Sequence, residues 1–280
     1  MLNELNNFVY ENHLGKRFDS LENGVYLVHS DILDYSWSYD VINNRISRFY
    51  RPVTTRGLPL VVIGNTAAEA KEAKNRLLEI VEADIRAVLP GKIYIGEYYT
   101  SGFITASKKS KYLFNGRYCN LNLEFTTADP AWFSERNYVF IKGNDDNNSV
   151  AEYGVDYPFD YSFDYATTVK SNRINGGDNG SSKFKLKIYG DATNPAINIG
   201  GHIYSVNGSI RKGESLLIDS INKTITLTTL TGQKVNWFDK RSRENYIFEP
   251  IPPGNSNVNY SGTFGFDLTV IEERSEPKWI

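Results

Sequence analysis

Three aspartates in one short aromatic stretch are the residues of this chain that most invite a chemical interpretation. Asp156, Asp160 and Asp164 recur at four-residue intervals, and the tripeptide Phe-Asp-Tyr occurs twice. Calcium loops instead place oxygen ligands at alternate residues around a glycine. A glycosidase needs two carboxylates held at a set separation, which an irregular segment does not provide. The sequence therefore predicts neither a metal site nor a catalytic pair here.

The aromatic rings of the same stretch admit two interpretations. Exposed rings are typical contacts for sugars and proteins, so Tyr157, Phe159 and Tyr161, together with Trp237, are candidate partner or sugar contacts. Alternatively, the stretch is an extended strand that buries alternate rings in a core, because each ring carries a large burial free energy. We favour the buried strand, and we likewise interpret Trp37, Trp132 and Trp237 as core or interface anchors rather than ligand platforms.

No other group of residues has the spacing of a catalytic or cofactor site. His13, His29 and His202 lack partners at the offsets that place two metal ligands on one helical face, and we expect each to be structural. Cys119 is the only cysteine, which excludes a thiolate-based zinc or iron–sulfur site within one chain. Nucleophile elbows, phosphate loops and dinucleotide fingerprints are missing. The sequence predicts a protein that is not an enzyme and has no cofactor.

Composition narrows the class of protein further. The 280 residues carry 31 Lys+Arg and 33 Asp+Glu, so a net charge of −2 argues against a general nucleic-acid or anionic-membrane binder. The N-terminal residues do not resemble a secretory signal, and the apolar runs are far shorter than a bilayer span, so we expect a soluble protein. An aromatic content of 14% favours strands. The length suggests about two domains.

One segment has the pattern of a long helix. Thr66 and Glu69 form a capping box at its start. Apolar residues then recur at helical spacing, and Pro90-Gly91 stops the pattern. The positions expected on the buried face are Ala70, Ala73, Leu77, Ile80 or Val81, and Ile85. The sequence predicts an amphipathic helix at about 67–89 that covers one face of a sheet, with Glu72 and Arg76 paired on the outer side.

The rest of the first half is typical of strands. Residues 25–40, 58–63, 92–99 and 121–127 have strand-like order, and together with the helix they predict an N-terminal β domain over residues 1–140. Lys108, Lys109 and Lys111 precede Asn115-Gly116 and indicate a solvated hairpin tip, with an anion or partner contact as the alternative. Residues 141–182 are rich in turn formers and indicate a linker and incoming strand.

From residue 183 onward, strands and turns alternate without a helix. Residues 183–189, 224–228 and 264–270 alternate apolar and polar side chains, so one face of each strand is expected in a core and the other in water. Hairpin turns are expected at Gly200-Gly201, Asn207-Gly208, Asn222-Lys223 and Thr231-Gly232. This pattern predicts an antiparallel sandwich or barrel over residues 183–280.

Sequence blocks in both halves, taken in their order, resemble a known family. In the first half the blocks are 34–37, 47–52, 74–80, 90–99 and 125–130. In the second half they are 156–161, 194–197, 247–252, 262–267 and 273–279. Together they are similar to the distal tail proteins of long-tailed phages that infect Gram-positive bacteria. The resemblance implies a mainly β fold, with a ring-forming N-terminal β domain that has one amphipathic helix and a C-terminal galectin-like antiparallel β-sandwich.

The resemblance also implies a function. Members of the family are baseplate hubs at the virion tail tip, assembled in the cytoplasm of the bacterial host. A homo-hexamer joins the tail tube protein to the tail-associated protein, a tail lysin or spike, and in many phages also holds receptor-binding proteins. DNA passes through the ring lumen, and no membrane is involved.

The alternative is a tail-tip adhesin that binds host cell-wall carbohydrate. Galectin sugar sites resemble His-x-Asn-x-Arg followed by Trp-Gly-x-Glu. Here His202 is followed by Ile203-Tyr204, and Trp237 by Phe238-Asp239, so neither segment is present.

Overall fold

The computed structural model describes residues 7–28, 30–143, 172–178 and 180–278. These residues divide into two compact units. Unit 1 comprises Met1–Ser134 with Arg274–Ile280, and unit 2 comprises Glu135–Glu273. The described residues form β-strands and a single α-helix, which confirms the predicted mainly β fold with one helix. None of the described helical residues forms a segment long and apolar enough to cross a bilayer.

Unit 1 is a curved antiparallel sheet with the helix α1 (Ala67–Ala87) packed on it. Its strands are β1 (Val9–Glu11), β2 (Arg17–Asp19), β3 (Val25–Leu27), β4 (Ser38–Ile42), β5 (Arg45–Tyr50), β6 (Thr54–Ile63), β7 (Gly91–Ile95), β8 (Tyr98–Leu113) and β9 (Tyr118–Thr127). The next strand, β10 (Trp132–Phe140), begins in unit 1 and has most of its residues in unit 2. The long strand β8 pairs with β7 through its first residues and with β9 through the rest. The order β2-β1-β7-β8 therefore continues as β8-β9-β6-β3, and β4 pairs with β5 in a separate ribbon.

Both ends of α1 follow from local chemistry. Thr66 Oγ1 accepts a hydrogen bond of 3.1 Å from the Glu69 amide, and Glu69 Oε2 accepts one of 3.0 Å from the Asn65 amide, so the predicted capping box is confirmed. The helix ends at Ala87, two residues earlier than predicted, because Val88 adopts a left-handed conformation (φ 55°).

The buried face of α1 differs from the prediction at one position. Ala70, Ala73, Leu77, Ile80 and Val81 are buried as expected, but Ile85 is 42% exposed. Asp84 is buried in its place, since it lies four residues after Ile80 and three after Val81 and therefore on the same stripe. The sequence analysis predicted Ile85 rather than Asp84 on the buried face because carboxylates are usually exposed.

Three strand predictions in unit 1 need correction. Residues 92–99 are not one strand, because Gly96 turns the chain (φ 59°) between β7 and β8. Of the described residues within 25–40, only those at the two ends form strands, as parts of β3 and β4. The predicted lysine-bearing tip is instead part of β8, where Lys108 forms an ion pair of 2.8 Å with Glu124 across the ribbon. The tip itself is a 3-10 turn at Phe114–Gly116.

Unit 2 is an antiparallel sandwich, which confirms the predicted fold of the second half. Its further strands are β11 (Arg173–Asn175), β12 (Lys183–Tyr189), β13 (Ala192–Thr193), β14 (Ala196–Ile199), β15 (His202–Ser205), β16 (Ser209–Ile210), β17 (Ser215–Asp219), β18 (Thr224–Thr228), β19 (Lys234–Asn236), β20 (Asn255–Tyr260) and β21 (Phe266–Arg274). One sheet has the order β19-β18-β17-β12-β21-β10, the other β11-β20-β14-β15, and β13 pairs with β16.

Aromatic rings join the two sheets across one apolar core. Phe184 on β12 meets Tyr204 on β15 at a ring distance of 5.0 Å, and Phe266 on β21 meets Tyr260 on β20 at 5.0 Å. The predicted hairpin turns at Gly200-Gly201, Asn222-Lys223 and Thr231-Gly232 connect paired strands. The prediction at Asn207-Gly208 is wrong, because β15 and β16 on either side of it pair with other strands. The short strand β11 lies within the range 141–182 that was predicted as a linker and incoming strand. The predicted linker over 141–182 falls mostly on residues 144–171, which lie outside the described residues.

Candidate assembly interface

The ribbon β4–β5 is the most exposed apolar feature of unit 1. We call residues 35–53, which include both strands, the arm. Every residue of β5 is exposed, and within the described part of the chain the ribbon pairs with no other strand. Its exposed large apolar side chains are Tyr35, Trp37, Tyr39, Val41, Ile42, Ile46, Phe49, Tyr50 and Val53. Such a contiguous set is a mark of an interaction surface in a folded protein.

The strand register gives the arm two unlike faces. Tyr39 lies opposite Phe49, and Val41 lies opposite Ile46, so these four side chains share one face. Each of them is more than half exposed, and the rings of Tyr39 and Phe49 meet edge to face at 6.3 Å. The opposite face pairs Asp40 with Arg48, and Ile42 with Arg45. The arm therefore presents an apolar face on one side and a mostly polar face on the other.

The turn of the arm sets the register of the pairs nearest to it, and a β-bulge between Asp40 and Val41 shifts the pairs beyond by one residue. Asn43 and Asn44 both have positive φ angles, 50° and 56°. Two consecutive left-handed residues are typical of the type I′ turn, which matches the twist of a two-residue hairpin, and asparagine tolerates that conformation. The sequence analysis missed this hairpin. The signal was present, since Asn-Asn stands between Val41-Ile42 and Ile46.

A stacked pair fixes the base of the arm to unit 1. The Arg51 guanidinium lies over the Trp37 ring at 4.7 Å, and Arg51 Nε approaches Asp129 Oδ1 at 3.7 Å. Trp37 Nε1 also donates a hydrogen bond of 3.3 Å to Ser275 Oγ. Cation–π stacking between the two chain ends of a hairpin holds them side by side. The arm thus projects from a defined base.

A second anchor precedes the arm. Ile32 is buried in the core of unit 1, and the Arg56 guanidinium donates a hydrogen bond to the Ile32 carbonyl. The Gly57 amide donates to Asp31 Oδ1 at 2.8 Å. Burial lowers the pKa of Arg56, and the nearby Asp31 and Asp34 carboxylates oppose that shift. The chain between β3 and the arm is therefore tied to β6 by specific contacts.

The arm can bind a complementary surface. An isolated two-stranded hairpin is only marginally stable in water, and it gains stability when its apolar face is covered. Full burial of one large apolar side chain contributes about 1.5–3 kcal/mol. The free energy of association could therefore include one such contribution from each apolar side chain of this face, namely Tyr39, Val41, Ile46 and Phe49.

A buried Tyr–Asp–His cluster has catalytic residue types but a closed geometry. Asp84 accepts hydrogen bonds from the Tyr10 hydroxyl at 2.6 Å and from the His13 amide at 2.8 Å, and His13 Nδ1 lies 2.5 Å from Asp84 Oδ1. Asp84 is fully buried, and burial, followed by the contact with Asp84, raises the pKa of Tyr10 well above its usual value. The cluster fastens the end of α1 to β1, with its carboxylate fully buried.

Only one of the four aromatic residues predicted as contacts, Trp237, lies within the described residues. Tyr157, Phe159 and Tyr161, like His29 and the three aspartates of that stretch, lie outside the described residues. Trp237 is half-buried against the core of unit 2, and a Cβ on Gly208 would lie 2.9 Å from its ring. Its role as a contact stays a prediction. Among the described residues, no group of three or more His, Cys, Asp or Glu could hold a metal ion.

Comparisons with known proteins place the fold. No protein-family model matches the sequence, and no curated protein matches it significantly. The crystal structure of the Dit protein (gp 19.1) of phage SPP1, described as a paradigm of the hub adsorption apparatus in phages infecting Gram-positive bacteria, is similar over 95% of this chain and 99% of that one. The TM-score is 0.56 at 11% identity. This chain has the fold of that hub protein.

Two structures of the phage P2 baseplate agree with this assignment. Both are of its activated conformation, one with calcium and one with strontium. A chain of each matches 97% of this chain and 99% of its own length, with TM-scores of 0.60 and 0.59 and identities of 11% and 12%. The resemblance to distal tail proteins that the sequence predicted is therefore confirmed at the level of the fold.

Proposed function

We propose that this chain is the structural hub of a phage tail tip and that it works by assembly. The fold likeness to SPP1 Dit and to chains of the P2 baseplate supports this class of function. The single observation that supports assembly most directly is the arm, whose apolar face has no partner within the described part of the chain. A protein that functions alone gains nothing from such a surface.

The proposed assembly is a homo-hexameric ring held by the N-terminal domain, residues 1–140. An arm that packs on a different surface of the next copy makes a head-to-tail contact, and such contacts close into a ring when the rotation between neighbours divides a full turn. Each copy then contributes one arm and accepts one. The apolar face of the arm suits a permanent contact, because obligate interfaces are more apolar than transient ones.

The ring would join two sets of tail proteins. We propose that one side meets the tail tube protein and the other the tail-associated protein, with receptor-binding proteins as further partners and DNA passing only through the lumen. The location would be the virion tail tip, after assembly in the host cytoplasm. We propose no enzymatic activity, and the closed Tyr10–Asp84–His13 cluster supports this, since its carboxylate is fully buried.

The experiment compares the oligomeric state of the full chain with that of two matched variants. Val41→Glu with Ile46→Glu places two charges on the apolar face of the arm. Leu230→Glu changes a residue of unit 2 that is 70% exposed and serves as the control. We expect sedimentation velocity and negative-stain microscopy at micromolar concentration to show six-fold rings for the wild type and the control, and monomers for the arm variant.

Two results would contradict the proposal at different levels. A wild-type chain that stays monomeric at high concentration, even when mixed with the tail proteins of its own particle, would reject the hub function. Rings that persist in the double arm variant would retain the hub but reject the arm as its contact.

A further inference from the structure

The outer face of the four-stranded sheet in unit 2 bears a row of asparagines. On β20, the alternate residues Asn255, Asn257 and Asn259 are exposed, while Ser256 and Val258 between them are buried. Residues two apart on a strand point to the same side of the sheet. The three amides therefore line one strand on its solvent side.

Neighbouring strands extend this row into a polar surface. Asn198 on β14 is paired with Asn259, and Arg173 on β11 is paired with Asn257. Arg173 Nε donates a hydrogen bond of 3.1 Å to Asn257 Oδ1, which fixes the plane of both groups. This contact directs the NH₂ group of Asn257 away from the arginine. We call Arg173, Asn198, Asn257 and Asn259 the amide face.

The amide face includes a hollow. A cavity of about 360 Å³ is lined by Asn172, Arg173, Asn257 and Asn259. Gly200 donates a backbone hydrogen bond of 2.9 Å to the Asn257 carbonyl. Ile203, paired with Asn198, is 39% exposed and adds an apolar contact at the margin. The hollow is open to solvent, and the Arg173–Asn257 pair and the Asn259 amide lie along its lining.

A strand of the other sheet of the same sandwich, β18, has different residues at its outward positions. The outward positions of β18 are Thr224, Thr226 and Thr228, and threonine is a residue that favours strands. Asparagine disfavours strands, yet it occupies the equivalent alternate positions of β20. Exposed asparagines oppose the strand conformation and add no core packing. Residues that oppose the local structure in this way are expected at functional sites.

We propose that the amide face binds a polyhydroxylated chain, the chemistry shared by cell-surface glycans and by polyol-phosphate polymers. Each side-chain amide has an accepting oxygen and two donating N–H groups, and each hydroxyl likewise donates and accepts, so the two sets of groups are complementary. The planar guanidinium of Arg173 can donate to adjacent oxygens, including those of a phosphate. The ligand site goes beyond the hub function and does not depend on the arm.

The test measures binding to the full chain by titration calorimetry. The probes are a panel of neutral oligosaccharides and a glycerol-phosphate oligomer, each up to millimolar concentration. Asn257→Thr with Asn259→Thr removes the amides and keeps a strand-compatible residue. Thr224→Asn with Thr226→Asn is the matched control, which places amides at outward positions of β18 in the other sheet. Sedimentation velocity of each variant reports separately on ring assembly.

We expect saturable binding by the wild type and the control, and a dissociation constant at least about tenfold higher for the amide-face variant. Binding of oligosaccharides would identify a glycan ligand. Binding of glycerol phosphate alone, lost on Arg173→Gln, would identify a phosphate-bearing polymer. Absence of saturable binding with every probe, or equal binding by the amide-face variant, would overturn the proposal. Both results leave the hub function to be decided by the ring measurement.

Discussion

The arm of unit 1 and the amide face of unit 2 depart from the usual rules for a surface in opposite ways. The arm exposes apolar side chains such as Val41 and Phe49, which gain free energy when they leave water. The amide face exposes Asn257 and Asn259, which are well hydrated but unfavourable in a strand. The arm is therefore unfavourable because its apolar side chains contact water. The amide face is unfavourable because asparagine disfavours the strand conformation.

This difference indicates two kinds of partner. An apolar ribbon on a fixed base suits a permanent protein contact, where burial supplies most of the free energy. A hollow lined by amides suits a hydrated ligand that is released and rebound, since hydrogen bonds exchanged with water contribute only about 0.5–1.5 kcal/mol each. The variants below test this division, from the largest expected effect to the smallest.

The arm can act as a fixed contact only if unit 1 is rigid, and the buried Asp84 is central to that rigidity. Asp84→Ala leaves the Tyr10 hydroxyl and two groups of His13 without their buried partner, so we expect unit 1 to lose about 3 kcal/mol of unfolding free energy. Chemical denaturation measures the loss. Glu82→Ala on the exposed face of α1 is the control, with an expected loss under about 0.5 kcal/mol. A loss under about 1 kcal/mol for Asp84→Ala would contradict the role of Asp84 in fastening α1 to β1.

The turn of the arm gives a graded test of the contact. Asn43→Ala with Asn44→Ala puts two alanines at positive φ, at a cost of about 1–2 kcal/mol each, so the ribbon frays. We expect association to weaken by about tenfold or more, measured by sedimentation across a concentration series. Glycine at the same two positions accepts positive φ and should retain assembly. Equal assembly of the alanine and glycine variants would show that the ribbon need not be ordered.

Stability and binding should change in opposite directions at the amide face. Asn257→Thr with Asn259→Thr should raise the unfolding free energy by about 0.5–1 kcal/mol, because threonine favours the strand. The reverse exchange at Thr224 and Thr226 should lower it by a similar amount. Calorimetric unfolding provides both values. A lower unfolding free energy for the threonine variant would mean that the asparagines stabilise the fold. They would then no longer differ in this respect from the threonines of β18.

The smallest effect concerns pH. Burial raises the pKa of Asp267, opposed by the hydrogen bond from Tyr189 and by Lys187. Asp267 therefore stays protonated in the folded state at pH values where the unfolded chain, with an ordinary aspartate pKa of about 4, has already lost that proton. The free energy of unfolding of unit 2 consequently falls as pH rises from about 4 through the raised pKa. Asp267→Asn should abolish this loss in a pH series of unfolding measurements. Asp239→Asn, at a side chain that is 99% exposed, should leave the profile unchanged.

Residues with local signals were predicted best. Thr66 and Glu69 determine the start of α1, and Phe184, Leu186 and Ile188 alternate into the core of unit 2, because capping and strand alternation depend only on near neighbours. Asp84 was missed because its partners Tyr10 and His13 lie more than 70 residues away, with separations of 74 and 71. Burial there depends on tertiary contacts that no local pattern encodes.

The candidate surfaces show the same limit. The blocks 34–37 and 47–52, which contributed to the family resemblance, lie almost entirely within the arm. In the sequence, however, their apolar residues have the pattern of core strands. Exposure separates an interface from a core, and exposure requires the fold. The alternation of asparagines at 255, 257 and 259 is visible in the sequence, but the pairing with Asn198 and Arg173 is not.

Hydrogen exchange of the arm, measured in the assembled and dissociated chain, tests the central claim most directly. If copies join through the apolar face of the arm, the amides of residues 38–50 will exchange slowly in the wild-type ring and rapidly in the monomeric Val41→Glu, Ile46→Glu variant. Wild-type rings in which this ribbon exchanges as fast as in the dissociated chain would contradict the account.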